Sequence, residues 1–251
     1  MQEYGKDFAG VYNRFWTGFA VQIAPQIHAW HQGLPGKKGR RILDVCCGTG
    51  QLLLYFLEHG YTGTGIDLSA AMLAHAAENC SRFVADAKVD FVRSDASDFR
   101  LPGRYDLAVS TFDALNHLGS LAALRACFAC VCAVLVKGGW FVFDLNTEKG
   151  LRRWNGITVE DGEQLVLINR GLFSRGMDRA YTRITGFTRT GPDTWSRFEE
   201  TAYNTVFRLA DVKEALAQAG FAESWCAAGR TFELRAEDPE EQDRAFIVAR
   251  A

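Results

Sequence analysis

The sequence predicts an α/β fold built on a mostly parallel sheet, and three observations carry that expectation. Short apolar runs alternate with segments of helical period. The runs are apolar along nearly their whole length, as in strands covered on both faces. Glycine-rich or polar turns separate them at the spacing of strand-helix-strand units. The chain has 251 residues, 48% hydrophobic and 23% charged, enough apolar material for a sizeable core.

Taken in order, Phe8, Val11, Tyr12, Phe15, Trp16 and Phe19 recur at helical spacing and predict an aromatic-rich amphipathic helix that covers the core or a ligand. Ile42-Leu43-Asp44-Val45 reads as a buried strand, residues 60–66 as a second and Asp90-Phe91-Val92 as a third, each followed by a helical pattern. The first of those helices spans residues 51–57; Ser69, a good N-cap, opens the next over residues 70–79. A strand at 105–111, a helix at 121–136 and a strand at 140–145 continue the alternation. From about residue 155 to 207 the pattern changes to strands at 164–169, 180–190 and 195–207, separated by turns containing Gly, Asp and Pro. This predicts an antiparallel insertion. A helix over 211–219, stopped by Gly220, and strands at 221–227 and 244–249 return to the α/β pattern. Three blocks follow: residues 1–150 as cover helix and ligand-binding core, 151–207 as insertion, and 208–251 as completion of the core.

Composition narrows the partners. Lys and Arg total 28 against 30 Asp and Glu, so the chain lacks the basic excess of a nucleic-acid binder. No stretch reaches the ~18 apolar residues of a membrane span, and the start has no secretory pattern, so a cytoplasmic protein with neither nucleic acid nor membrane as partner is expected. Seven cysteines, an odd number, fit a reducing compartment. Cys127 and Cys130 form C-x-x-C beside Cys132, but no second ligand pair and no nearby His accompanies them. They fall on the helical stripe of Leu121, Leu124, Phe128, Val131 and Leu135, which predicts core packing and no metal site.

The chemistry-bearing stretch is Asp44-Val45-Cys46-Cys47-Gly48-Thr49-Gly50, placed where the first strand meets the first helix. Glycines there let the backbone approach a ligand, and the following helix presents free N–H groups. Asp67 ends the second strand 19 residues after Gly48, where a carboxylate can accept hydrogen bonds from ribose hydroxyls. A nicotinamide dehydrogenase uses similar features, but Leu53 occupies the third glycine position of its Gly-x-Gly-x-x-Gly pattern.

Five features in order resemble the class I methyltransferases that use S-adenosylmethionine: the loop Asp44 to Gly50; Asp67; Asp95 with Ala96; the fourth strand running into Phe112-Asp113-Ala114-Leu115-Asn116-His117-Leu118; and Lys137-Gly138-Gly139 before the fifth strand. Cys46 stands where that family usually has Gly or Ala. The resemblance implies a Rossmann-like, mostly parallel seven-stranded sheet with an antiparallel final strand. It further implies that the loop around Cys46, Gly48 and Gly50 faces the methionine part of the cofactor, that Asp67 binds its ribose, and that Asp95 and Ala96 meet its adenine; Asp44, Cys47, Leu68, Thr111 and Tyr12 complete the expected cofactor-binding set.

Phe8-Ala9-Gly10-Val11-Tyr12-Asn13 and Phe143-Asp144-Leu145-Asn146 resemble segments of a bacterial small-molecule methyltransferase group with a β-rich insertion after strand five, Asn13 replacing the usual Asp. The insertion is expected as a lid over the acceptor pocket or as a contact in a homodimer. Asn116, His117 and Tyr12 are the candidates for acceptor chemistry. His117 is suited to a proton acceptor because the unperturbed imidazole titrates near neutrality. The activity implied is in-line transfer of a methyl group to a small-molecule acceptor. A nucleotide-linked amino sugar methylated on nitrogen is the second reading, with Arg179, Arg183, Arg189, Arg197, Glu199 and Glu200 as candidates to orient a charged acceptor. A non-catalytic protein that only binds the cofactor is the alternative of another class, and a pocket blocked by side chains would favour it. His28, His31, His59 and His75 read as surface or packing residues.

Overall fold

A computed structural model describes residues 4–36 and 39–251. The N-terminal aromatic stripe becomes two helices, α1 (Lys6–Phe15) and α2 (Gly18–Gly33). The single helix expected over 8–19 breaks at Trp16 and Thr17, where Trp16 leaves helical geometry and a second helix begins at Gly18. The two helices bury different stripes, Phe8, Ala9 and Val11 in α1 and Ile23, Ala24, Ile27 and Trp30 in α2.

The core then alternates as its apolar pattern requires: β1 (Arg41–Val45), α3 (Gln51–Glu58), β2 (Thr62–Asp67), α4 (Ala70–Asn79), α5 (Ser81–Ala85), β3 (Val89–Arg93), β4 (Tyr105–Ser110), α6 (Leu121–Val134) and β5 (Leu135–Asn146). Ser69 caps α4 by accepting the N–H of Met72, and Ser120 caps α6 through the N–H of Ala123. No helix follows β3; residues 94–104 form a loop ending in Pro102-Gly103. The fifth strand is longer than expected and contains Lys137-Gly138-Gly139, with a register shift between Tyr105 and Leu107 absorbing the extra residues.

After the short α7 (Glu148–Leu151) comes the insertion, β6 (Gly156–Asp161), β7 (Leu165–Leu172), β8 (Arg179–Arg189) and β9 (Trp195–Thr205), a four-stranded antiparallel sheet in chain order. β6 lay outside the expected strands because it is exposed at all its positions, leaving no burial pattern to read. The chain closes with α8 (Leu209–Ala219), β10 (Glu223–Ala228), β11 (Thr231–Arg235) and β12 (Arg244–Arg250). The main sheet has the order β11-β10-β12-β5-β4-β1-β2-β3. Its eight strands exceed the seven expected by β11, an edge hairpin strand whose one buried residue is Phe232. β1 to β5 pair in parallel, and β10 to β12 run antiparallel, with β12 set directly on β5.

Two cores flank this sheet. Leu43, Val45, Phe141 and Phe143 point toward α6 and α8, while Ile42, Leu107, Val109 and Val142 point toward α2 and α3. Cys127 is fully buried in the first of them, beside Leu124, Phe128 and Val131, as the stripe predicts. The inner face of the insertion packs Leu165, Leu167, Ile184 and Phe198 against Phe8, Ala9 and Val11 of α1. Strand order reverses between β1 and β4, which opens a crevice at their carboxyl ends. Among the described residues no helix is long and apolar enough to cross a membrane.

Candidate functional site

At the end of β1 the backbone turns through Cys46, Gly48 and Gly50 at φ of 60°, 53° and 80°. Gly48 and Gly50 adopt this left-handed geometry without a Cβ penalty, whereas Cys46 does so at a cost of about 1 kcal/mol. The loop is fixed from two sides. Asp67, at the end of β2, accepts the N–H of Gly48 through Oδ2 at 3.0 Å and that of Ser69 through Oδ1 at 2.9 Å. Asn13 of α1 accepts the amide N–H groups of Gln51 and Asn79 through Oδ1, both at 2.8 Å, and Asn79 also donates to the carbonyl of Thr49. Asp44 lies buried beneath, and burial together with the Asp67 charge lifts its carboxyl well above the ordinary carboxylate range.

The turn after β4 is under strain. Phe112 and Asp113 both take positive φ, 65° and 50°. The buried carboxylate of Asp144 on β5 holds them, accepting the N–H of Phe112 at 2.7 Å and that of Asp113 at 2.8 Å. Arg244, the first residue of β12, bonds Asp144 with one guanidinium nitrogen and Asp113 with the other, at 2.7 Å to the latter. Its guanidinium also lies 4.8 Å from the ring centroid of Phe19 and 5.6 Å from that of Phe112. Burial raises the Asp144 carboxyl against the opposing pull of Arg244. The next turn is secured in the same manner: Asn116 accepts the N–H of Asn146 at 2.9 Å and donates to the carbonyls of Asn146 and Thr205, while Asn146 donates to Asn204 at 2.9 Å. Asp144 and Asn146 of the Phe-Asp-Leu-Asn segment thus both fasten the segment 112–117.

Between these loops, α1 and the inner face of the insertion lies a cavity of about 570 Å³, within the size range of small-molecule sites. It is open to a ligand. Cys46, Gly48, Asp67, Leu68, Thr111 and Phe112 border it from the main sheet, and residues 155–158 with Asn169, Gly171 and Thr182 from the insertion. Tyr4, Phe8, Tyr12 and Trp16 form its aromatic wall. The Tyr4 hydroxyl meets Nε2 of His117 at 3.1 Å, and the carbonyl of Tyr4 accepts the hydroxyl of Ser69 at 2.8 Å. Burial depresses the His117 pKa below its ordinary value against the opposing charge of Asp113, which favours a neutral imidazole. Burial, then the Asp113 charge, raises both Tyr4 and Tyr12.

Of the expected site residues, Tyr12, Cys46, Gly48, Asp67, Leu68, Thr111 and His117 meet at this cavity. Asp44, Cys47, Gly50, Asp95 and Ala96 lie outside the lining, Asp95 accepting the N–H and hydroxyl of Ser97 at 2.7 and 2.6 Å. Burial raises the Asp95 carboxyl, but hydrogen bonds, those from Ser97 among them, leave it lowered. Asn116 is fully buried and spends its amide on backbone bonds away from the cavity. The six charged candidates of the insertion do not border the cavity: Arg183 and Arg197 both pair with Glu199 at 2.6 Å, Arg189 donates to the Pro192 carbonyl, Arg179 to that of Gly119, and Glu200 accepts the N–H of Gly5; Arg153, paired with Asp243 at 2.6 Å, does border it. His31 is packed against the Tyr61 hydroxyl, and His59 stacks on Tyr55. Among the described residues no group of three or more could hold a metal ion.

Tyr4, Asp113 and Arg244 border the cavity without having been singled out in the sequence. Tyr4 had a signal, since Tyr4, Phe8, Tyr12 and Trp16 repeat every four residues. Arg244 had none, standing 131 residues from Asp113.

Residues 42–139 match a family profile described as a methyltransferase domain. The chain is 26% identical over 226 residues to a dTDP-3-amino-3,4,6-trideoxy-α-D-glucopyranose N,N-dimethyltransferase of Streptomyces venezuelae, covering 86% of this chain and 91% of that one. It is 30% identical over 152 residues to a ubiquinone biosynthesis O-methyltransferase of Burkholderia multivorans, covering 59% and 63%. In fold it is similar to an S-adenosylmethionine-dependent methyltransferase of Clostridium acetobutylicum, with a TM-score of 0.80, 20% identity and 97% of each chain covered.

Proposed function

We propose that this chain is an S-adenosylmethionine-dependent methyltransferase, as the methyltransferase profile over residues 42–139 and the relatives support, and that its acceptor is a small molecule held between the carboxyl edge of the parallel sheet and the inner face of the insertion. The observation that carries this reading is the open cavity bordered by both, Asp67 and Gly48 on one side and Asn169 and Thr182 on the other. S-adenosylmethionine supplies a methyl group already activated on a sulfonium. The chain therefore has to align the acceptor, exclude water and handle a proton.

In this reading the Cys46 to Gly50 loop and Thr111 border the methionine end, Asp67 takes the ribose hydroxyls, and Asp95 with Ala96 meets the adenine. Tyr12 and Trp16 close the cavity from α1, the insertion serves as its lid, and His117 is the candidate base. Asn116 is assigned to positioning His117 rather than to chemistry, because its amide is committed to the backbone. A cytoplasmic enzyme fits the balanced charge and free cysteines. The exposed apolar residues Ile157, Val159 and Leu172 on the insertion fit a homodimer contact. Methylation of a nucleotide-linked amino sugar is the second reading, favoured by the Streptomyces relative and its coverage of nearly the whole chain.

Calorimetric titration with S-adenosylhomocysteine, and separately with NAD, tests the premise. Micromolar binding of the first is expected, weakened about tenfold or more by Asp67→Ala, which removes the acceptor of the Gly48 and Ser69 N–H groups as well as the ribose contact. Binding of NAD alone would refute the reading. Turnover of a dTDP-linked 3-amino sugar, against its 3-hydroxy counterpart, then tests the acceptor class.

A further inference from the structure

The relatives' names include both an N- and an O-methyltransferase, so likeness leaves the acceptor atom undecided, and the cavity itself has to supply the answer. The carboxylate of Asp113 borders it. Its backbone is held in left-handed geometry by Asp144, and one of its oxygens, Oδ1, is pinned by Arg244 at 2.7 Å. Oδ2 meets no hydrogen-bond donor among the described residues, although the side chain is only 11% exposed. The positive φ, the clamp beneath and the half-satisfied carboxylate all act on one residue. Strain of this kind persists where the surrounding structure over-determines it, and it is found at sites of function. The two carboxylates share one guanidinium, so the Asp113–Arg244–Asp144 cluster carries one negative charge in excess when all three groups are ionised.

We propose that Asp113 is the acceptor-side carboxylate of this enzyme and that it selects an amine nitrogen as the atom methylated. The inference rests on the methyltransferase reading above. A neutral amine donates one N–H to Oδ2 of Asp113, which leaves its lone pair to attack the methyl carbon. The N–C bond forms as the C–S bond breaks, the positive charge passes from sulfur to nitrogen, and the products are a methylated ammonium and a neutral thioether. One of the amine's own protons leaves the ammonium afterwards, to His117 or to water. A fixed carboxylate beside the nitrogen favours this transfer because charge of the opposite sign develops there. An alcohol acceptor meets the reverse condition. Its oxygen must shed a proton and gain negative character, and an adjacent carboxylate opposes that.

Charged and titratable groups near Asp113 are Arg244, Asp144 and His117, with Tyr4 and Tyr12 across the cavity and Asp67 beyond them. The test therefore has to isolate Asp113 from the others. Sinefungin does so without requiring the acceptor: a carbon bearing an amino group replaces the sulfonium sulfur and its methyl, so that its ammonium nitrogen stands where the transferred methyl stands. Calorimetry on the full chain should find sinefungin binding about tenfold tighter than S-adenosylhomocysteine at pH 7. In Asp113→Asn, which tolerates left-handed geometry and still offers Arg244 an oxygen, that preference should fall to about twofold or less while affinity for S-adenosylhomocysteine changes less than about threefold. A preference that persists in the variant overturns the proposal. So does a wild-type chain with no preference, a result that stands even if the variant does not fold. Failure of the wild-type chain to bind either ligand overturns instead the cofactor reading on which the proposal rests.

Discussion

Replacing Asp144 by Asn removes one oxygen from a group with two backbone acceptor roles and an ion pair. Oδ1 accepts the N–H of Phe112, and Oδ2 accepts both the N–H of Asp113 and the guanidinium of Arg244. The amide can keep only one side. With its oxygen toward Asp113 and Arg244, its NH₂ confronts the N–H of Phe112 and leaves that donor unpaired, at a cost of about 1–3 kcal/mol. The charge lost from a fully buried carboxylate paired with a mostly buried guanidinium costs more, though Asp113 still faces Arg244 and relief of the carboxylate's own desolvation returns a part. A net destabilisation of about 3 kcal/mol follows, equivalent to roughly 6–12 °C in Tm for a chain of this size. Urea unfolding followed by circular dichroism should show the midpoint fall with an unchanged slope. Because Phe112 and Asp113 border the cavity, affinity for S-adenosylhomocysteine should drop about tenfold at temperatures where the variant remains folded. A loss of less than about 1 kcal/mol, with ligand affinity intact, would refute the idea that Asp144 holds the strained turn.

His117 gives a pH signature. Its folded pKa lies below the ordinary value of 6.5, so the unfolded state binds the proton more readily; the stability it contributes is complete above about pH 6.5 and is lost as pH falls through the folded value. His117→Gln should flatten this acid limb in a plot of Tm against pH. If His117 is also the base, kcat in the wild type falls below the same depressed pKa and the variant loses turnover at saturating cofactor; an unchanged kcat removes that role. Asn13→Ala deletes the acceptor of two amide bonds that join α1 to α3 and α4, with an expected cost of about 1–2 kcal/mol and weaker cofactor binding, read by thermal shift and calorimetry. Asn13→Asp keeps an acceptor for both donors and should differ little from wild type in the same two measurements.

The alternating core was legible because burial on both faces leaves an unmistakable apolar run. Residues 42–45 and 105–110 show it. β6 and β11 were illegible for the opposite reason: edge strands that bury one residue or none are held by neighbouring backbones, and the side chains record little of it. The break between α1 and α2 was hidden because the aromatic spacing runs through Trp16 without interruption.

The candidate site divides along the same line. Gly48, Gly50 and Asp67 could be read from the chain alone, since a left-handed turn demands particular residue types and the strand end that carries the carboxylate is set by local spacing. The linear sequence equally displayed the helix cap at Ser69, whose bond spans three residues. Asp113 and its clamp were decided only in three dimensions. Asp144 lies 31 residues and Arg244 131 residues from Asp113, and they meet because β12 inserts antiparallel against β5 and brings Phe246 opposite Asp144. The same folding closed Asn116 into the backbone and left His117 at the cavity wall, although the two are adjacent in the chain. Local geometry selects residue types that a sequence displays, whereas the pairing of distant charges depends on strand order, which it records only through the packing of the whole sheet.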